Sequence, residues 1–217
     1  MNLETNSVGK VYIASMNMRG RWAPAPEGCM KLNVTSAQSV TSRNRRDFSP
    51  MTPLKDGYKG FWNFESYWQG GKVYEDIPEE VTREFWKRLT QARRRYPKSK
   101  GKRVLHARFS DDGEKMDYVT SRKKVYVPEY YNMIKDRDTT RYWKVELQLG
   151  KDICIYDFDG PRTPEGGVQC LKVDKDLLVE KINDVRFPFG HGYVVAATLM
   201  GILPEEYTVT SVTGSGE

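Results

Sequence analysis

Between Tyr58 and Lys72 the chain reads Tyr-Lys-Gly-Phe-Trp-Asn-Phe-Glu-Ser-Tyr-Trp-Gln-Gly-Gly-Lys, which sets one carboxylate, Glu65, among Phe61, Trp62, Phe64, Tyr67 and Trp68. Aromatic side chains at this density must be taken out of water, so the segment demands a packed core around it. Asn63 is a suitable N-cap, and Phe64, Tyr67, Trp68 and Gly71 recur at three- and four-residue spacing. The spacing predicts an amphipathic helix within residues 63–75. Gly70-Gly71 either weakens that helix or allows another group to approach it closely. If the helix packs inward, Glu65 lies in a partly apolar pocket. Desolvation would then raise its pKa and suit it to proton transfer or to stabilising a cation. The alternative is an exposed Glu on a helix anchored by its aromatic neighbours.

The remaining composition fits such a core. With 217 residues, 38% hydrophobic, 5 Trp, 13 Tyr and 8 Phe, the chain is too aromatic for a disordered protein. No apolar run approaches the ~20 residues that span a bilayer, so no membrane association is expected. The N-terminal MNLETNSVGK lacks a basic stretch followed by an apolar core, so no signal peptide is expected. Cys29, Cys154 and Cys170 are an odd set without CxxC spacing. Reduced thiols in a cytoplasmic protein are the simplest reading, and a zinc cluster is not expected. The net charge of +6 is mild, but Arg43, Arg45 and Arg46 cluster early. Arg93, Arg94, Arg95, Lys98, Lys100, Lys102 and Arg103 form a denser run. Both sets read either as solvated surface or as attraction toward phosphates of a nucleotide or nucleic acid.

Along the chain, residues 11–17, 29–34, 152–158 and 168–173 read as strands. Residues 35–53 read as a polar, basic surface loop. Pro78-Glu-Glu opens the clearest helix, with Val81, Phe85, Leu89 and Ala92 as its buried face and Tyr96-Pro97 as its end. Residues 119–126 and 128–135 read as two short helices broken at Pro128. Residues 174–182 and 191–202 also read as helices, the second almost wholly apolar. The terminal TSVTGSGE reads as a frayed tail. The expected fold is α+β, a mainly helical core with peripheral strands. One domain spans residues 1–217, with 1–46 as an N-terminal strand and loop elaboration.

Several chemistries lack their residues. His106 and His191 are the chain's 2 histidines, and neither sits in a nucleophile-elbow context. No GxxxxGK[ST] or GxGxxG loop, HExxH helix or paired-Asp metal spacing occurs. The field narrows toward carboxylate or tyrosine chemistry.

Phe64-Glu-Ser-Tyr-Trp-Gln-Gly-Gly-Lys72 resembles the signature of the NADAR/YbiA-like N-glycosidases: a Glu, two residues, an aromatic, Gln and, three residues later, Lys. Asp47-Phe-Ser-Pro-Met-Thr-Pro53 resembles that family's Phe-Ser-Asn-Phe segment. Asp117-Tyr118 with Arg122 and Val125 resembles its Trp-x-x-x-basic-x-x-Val-Met element, with Tyr118 in the place of Trp. Residues 192–200 resemble its closing helix. The family's Trp-Gly-Asp-Gly loop has no clean counterpart, so the second carboxylate is Asp157, Asp159 or Asp184.

The resemblance implies a cofactor-free hydrolase that cleaves an N-glycosidic bond in a ribosyl nucleotide, with release of ADP-ribose from modified guanine in nucleic acid as one such reaction. Glu65 would stabilise the oxocarbenium-like transition state or orient the attacking water, with Asp159 as the second catalytic carboxylate. Tyr118 would stack on the base or ribose, with Trp68 as the other candidate. Arg45, Arg46 and Lys72 would hold phosphate. The run from Arg93 to Arg103 would contact a nucleic acid. The competing expectation is a non-catalytic module that binds nucleic acid or ADP-ribose.

Overall fold

The computed structural model describes residues 7–209, and the terminal segment expected to fray lies outside the described residues. In chain order the elements are β1 (Val11–Ser15), β2 (Met30–Asn33), α1 (Arg43–Phe48), α2 (Phe64–Gly70), β3 (Lys72–Tyr74), α3 (Glu79–Arg88), β4 (Val104–Ala107), α4 (Tyr118–Ser121), α5 (Val127–Ile134), α6 (Asp138–Gln148), β5 (Ile153–Asp157), β6 (Cys170–Lys172), α7 (Lys175–Asn183), α8 (His191–Met200) and α9 (Pro204–Thr208).

Alternation along β1 and β5 organises the core, because successive strand side chains point to opposite faces. Val11, Ile13, Ile153 and Ile155 join the main apolar cluster beneath α5 and α8. Ala14, Cys154 and Tyr156 join a second cluster on the other face, with Met16 and Ala23. The sheet order is β2-β5-β1-β6. Strand β5 runs parallel to both β1 and β2, and β6 closes the edge antiparallel to β1. A separate antiparallel pair joins β3 to β4.

The class is α+β, as expected. The strands are nevertheless not peripheral, since every residue of β5 is buried between the two clusters. The segment 1–46, expected as an elaboration, supplies β1 and β2 and so is built into the sheet.

Three local expectations need correction. Helix α3 begins at Pro78 as expected but ends at Arg88, and it buries Thr82, Arg83 and Trp86. Val81 is 47% exposed, because the fully buried Trp86 sets which face turns inward. The chain is not broken at Pro128: α4 and α5 are joined by a single wide turn over Arg122–Tyr126. That turn absorbs the donor proline lacks, so the helix continues through it. The supposed surface loop 35–53 contains α1. This helix is pinned to α6 by Trp143 Nε1 donating to Asn44 and by Thr139 donating to Asp47. No helix among the described residues is long and apolar enough to cross a membrane.

The carboxyl ends of β2 and β5 open on the same side of the sheet. In mixed and parallel sheets a crevice at strand carboxyl ends is the usual ligand position. Here Asp157 ends β5, and Thr35 and Ser36 follow β2.

Candidate active site

Helix α2 fixes the central carboxylate. The Asn63 side chain accepts from the Ser66 amide at 2.8 Å and caps the helix, while its Nδ2 donates to the Met51 carbonyl at 2.8 Å. The Glu65 amide donates to the Pro50 carbonyl at 2.9 Å. These bonds tie the start of α2 to the loop of Ser49, Pro50 and Met51, which also lines the cavity. Of the residues in α2, Phe64, Ser66, Tyr67, Trp68, Gln69 and Gly70 are buried. Glu65 is the one residue of α2 that is not buried, and with Trp68 and Gln69 it lines a cavity of about 300 Å³. Gln69 Nε2 donates to Glu65 Oε1 at 2.7 Å and fixes the carboxylate's orientation.

Two more carboxylates arrive from the end of β5. Asp157 is 1% exposed and accepts from the Gly192 amide at 2.7 Å, at the start of α8. His191 Nε2 lies 2.9 Å from the Val34 carbonyl. A carbonyl only accepts, so Nε2 carries the hydrogen and donates. The other ring nitrogen, Nδ1, faces Asp157 Oδ2 at 3.3 Å. Asp157 is therefore a fixed anchor between β5 and α8. Its neighbour Asp159 lines the cavity and is exposed to solvent there, with Asp157 and Glu65 close by. Desolvation, followed by the charges of Asp157 and Glu65, pushes its carboxyl up to about 6. The loop packs so tightly here that a Cβ on Gly190 would come within 2.4 Å of Asp157 Oδ2.

Cations face these acids. Lys72, the first residue of β3, lines the cavity with its ammonium 6.0 Å from the Trp68 ring centroid. Burial lowers its pKa, opposed by Glu65 and Asp159. Arg94 and Arg95 also line the wall. Arg122 is 1% exposed and donates to the carbonyls of Asp184 at 2.9 Å, Phe187 at 2.7 Å and Ile182 at 3.3 Å. Its guanidinium lies 3.9 Å from the Tyr118 ring centroid, so one face of that ring is covered. Trp68 stacks on Phe109 at 5.5 Å and contacts Tyr126 at 4.9 Å, combining a packing role with a place on the cavity wall.

Glu65, Trp68, Lys72, Tyr118 and Asp159 thus converge on one cavity. Lys72 reaches it from β3, because α2 ends at Gly70, and not from two turns along a helix face. The nearby acids Asp76 and Glu75 pair with other cations, Asp76 with Lys102 at 2.8 Å and Glu75 with Arg103 at 4.0 Å. Arg45 and Arg46 are not in the cavity. Arg45 Nη1 donates to the Gln38 carbonyl at 2.6 Å, and Arg46 pairs with Asp47 at 3.1 Å, so both serve the α1 region. Asp184 is also elsewhere: Arg186 pairs with it at 2.9 Å and holds its carboxyl down at about 2. Sequence reading had placed Arg94 and Arg95 in a basic surface run and had given no role to Thr35, Ser49, Tyr126, Phe189 or His191, all of which line the cavity. No spacing signal joins these residues, because they come from distant segments brought together by the sheet.

The fold and site define an α+β protein with a cleft at strand carboxyl ends, lined by both carboxylates and cations. Residues 33–173 match a family described as a family of unknown function, DUF6939, and the chain belongs to that family. The matched span includes Glu65, Lys72, Asp157 and Asp159 but ends before His191. No curated protein and no solved structure matches the chain.

Proposed function

We propose that the chain is a hydrolase of N-ribosyl bonds in nucleotide-type substrates, as its resemblance to the NADAR/YbiA-like N-glycosidases suggests. One observation carries this reading. Glu65, the one residue of the aromatic helix that is not buried, shares a cavity with two further carboxylates and with the cations Lys72, Arg94 and Arg95. Cleaving a C1′–N bond builds positive charge on the ribose, which a fixed carboxylate stabilises. Asp159, protonated below about pH 6, gives its proton to the departing base nitrogen. Water attacks C1′, its oxygen forms the new bond as the C1′–N bond breaks, and its proton passes to Glu65. The cations hold the phosphate of the substrate.

ADP-ribose attached to guanine in nucleic acid is a natural candidate substrate. The basic run from Arg93 to Arg103 would hold the strand at the cavity mouth, and no cofactor is required. A cytoplasmic setting belongs to the proposal and fits the unpaired thiols of Cys29, Cys154 and Cys170. Binding without turnover is the second reading. It is favoured by Arg94 and Arg95 belonging at once to the cavity wall and to the exposed basic run. A screen for free base or sugar released from riboflavin-pathway intermediates, NAD and ADP-ribosylated DNA tests the proposal. Release by the wild-type chain supports it, and binding with no release from any of them supports the second reading.

A further inference from the structure

A second cavity, of about 320 Å³, lies beside the first and shares Trp68, Lys72 and Tyr118 with it as a common wall. Its character is different. Val104, Leu105 and Ala107 of β4 and Phe109 line it, so it is mainly apolar where the first is charged. Val104 and Leu105 are 44% and 48% exposed, an unusual position for two neighbouring aliphatic side chains. Its one carboxylate, Asp117, is already occupied in capping α4, accepting from the Thr120 amide at 2.7 Å. His106 adds its ring to the wall. Desolvation, with Lys115 and Arg108 nearby, lowers the His106 pKa.

From this juxtaposition we infer that the second cavity is a subsite for a planar, uncharged heteroaromatic group belonging to the ligand whose sugar-phosphate portion occupies the first. The inference rests on the N-ribosyl reading, because it makes the apolar cavity the seat of the leaving base. Three observations carry it. The two cavities adjoin at Trp68, Lys72 and Tyr118, so a ligand lying along these three side chains would reach both. Glu65, Asp157, Asp159, Arg94 and Arg95 all line the first cavity, whereas the second is mainly apolar with Asp117 and the shared Lys72 as its charged members, matching a ligand with a charged end and a flatter apolar end. The Tyr118 ring, its other face covered by Arg122, stands at the boundary where the bond between base and ribose would lie.

Methyl NMR of the full chain tests the subsite without requiring turnover. Adenine, guanine, nicotinamide and uracil are titrated one at a time, and ribose 5-phosphate separately. The expected result is that at least one free base shifts the Val104 and Leu105 methyl signals and leaves Met51, on the far wall of the first cavity, unmoved. Ribose 5-phosphate does the reverse. Leu105→Glu, a change at a half-exposed position, should weaken base binding by about tenfold or more while ribose 5-phosphate binding persists. If no base moves the β4 methyls, or if Leu105→Glu leaves base binding unchanged, the subsite is refuted. Loss of the N-ribosyl reading would show separately, as a failure of Glu65→Gln to impair turnover with these shifts intact.

Discussion

Replacing Asp159 with Asn puts the acid–base assignment at risk. Burial and the charges of Asp157 and Glu65 raise the Asp159 carboxyl from 3.8 to about 6. A carboxyl raised in this way holds a transferable proton below about pH 6 and loses it above. For a required acid, kcat/KM then falls tenfold per pH unit above that point, leaving roughly a hundredth of the plateau by pH 8. Asp159→Asn keeps the shape of the side chain and removes the proton, so the plateau should fall by about 10²–10⁴ and the basic limb should disappear. Folding stability follows the same group. Because its folded-state pKa lies above the unfolded value, its contribution is fully present below about pH 4 and is lost as pH rises through about 6. Asp159 is exposed, so solvent screening limits this effect to at most about 1 kcal/mol. The assay is kcat/KM from pH 4.5 to 8.5 for both proteins, with urea unfolding at the two extremes. A basic limb that persists unchanged in Asp159→Asn would refute the assignment.

Two further changes probe the scaffold. Arg122→Met removes the donor shared by the carbonyls of Ile182, Asp184 and Phe187, and should cost about 3 kcal/mol, lowering Tm by about 10 °C; a thermal melt shifted by less than about 2 °C would contradict the clamp. Gly71→Ala would place a Cβ 2.4 Å from the Phe109 ring, and the displaced ring should cost about 1–3 kcal/mol. The loss should be accompanied by a changed near-ultraviolet circular dichroism signal as the Trp68–Phe109 stack opens, and an unchanged spectrum would show that the ring yields freely.

The parts of the fold that depend on local signals were legible in the sequence. Asn63 before an aromatic periodicity marked the start of α2, Pro78-Glu-Glu marked α3, and the alternating residues of β1 and β5 marked the two strands that carry the sheet. Glu65 stood out because a lone carboxylate among aromatics has few ways to be placed. Of the expected inward face of α3, Leu89 is buried and Phe85 packs on the core, whereas Val81 and Ala92 are exposed, because periodicity cannot rank Trp86 above Val81 as tertiary packing does. Helix α6 and the pair β3–β4 carry weak local patterns and are held by contacts distant in sequence. The same holds for the site. His191 meets Asp157 across 34 residues, and Arg122 meets the segment 182–187 from about 60 residues away. Arg45 and Arg46 had the right chemistry for phosphate but sit on α1, facing away from the cleft.

The most direct test of the account is the hydrolysis rate of Glu65→Gln on an N-ribosyl substrate that the wild-type chain cleaves, measured together with its binding by calorimetry. Gln keeps the hydrogen-bonding shape beside Gln69 and removes the charge that faces the ribose. The account predicts that turnover falls by about 10³ or more while the dissociation constant changes by less than about threefold. Turnover equal to wild type would contradict it.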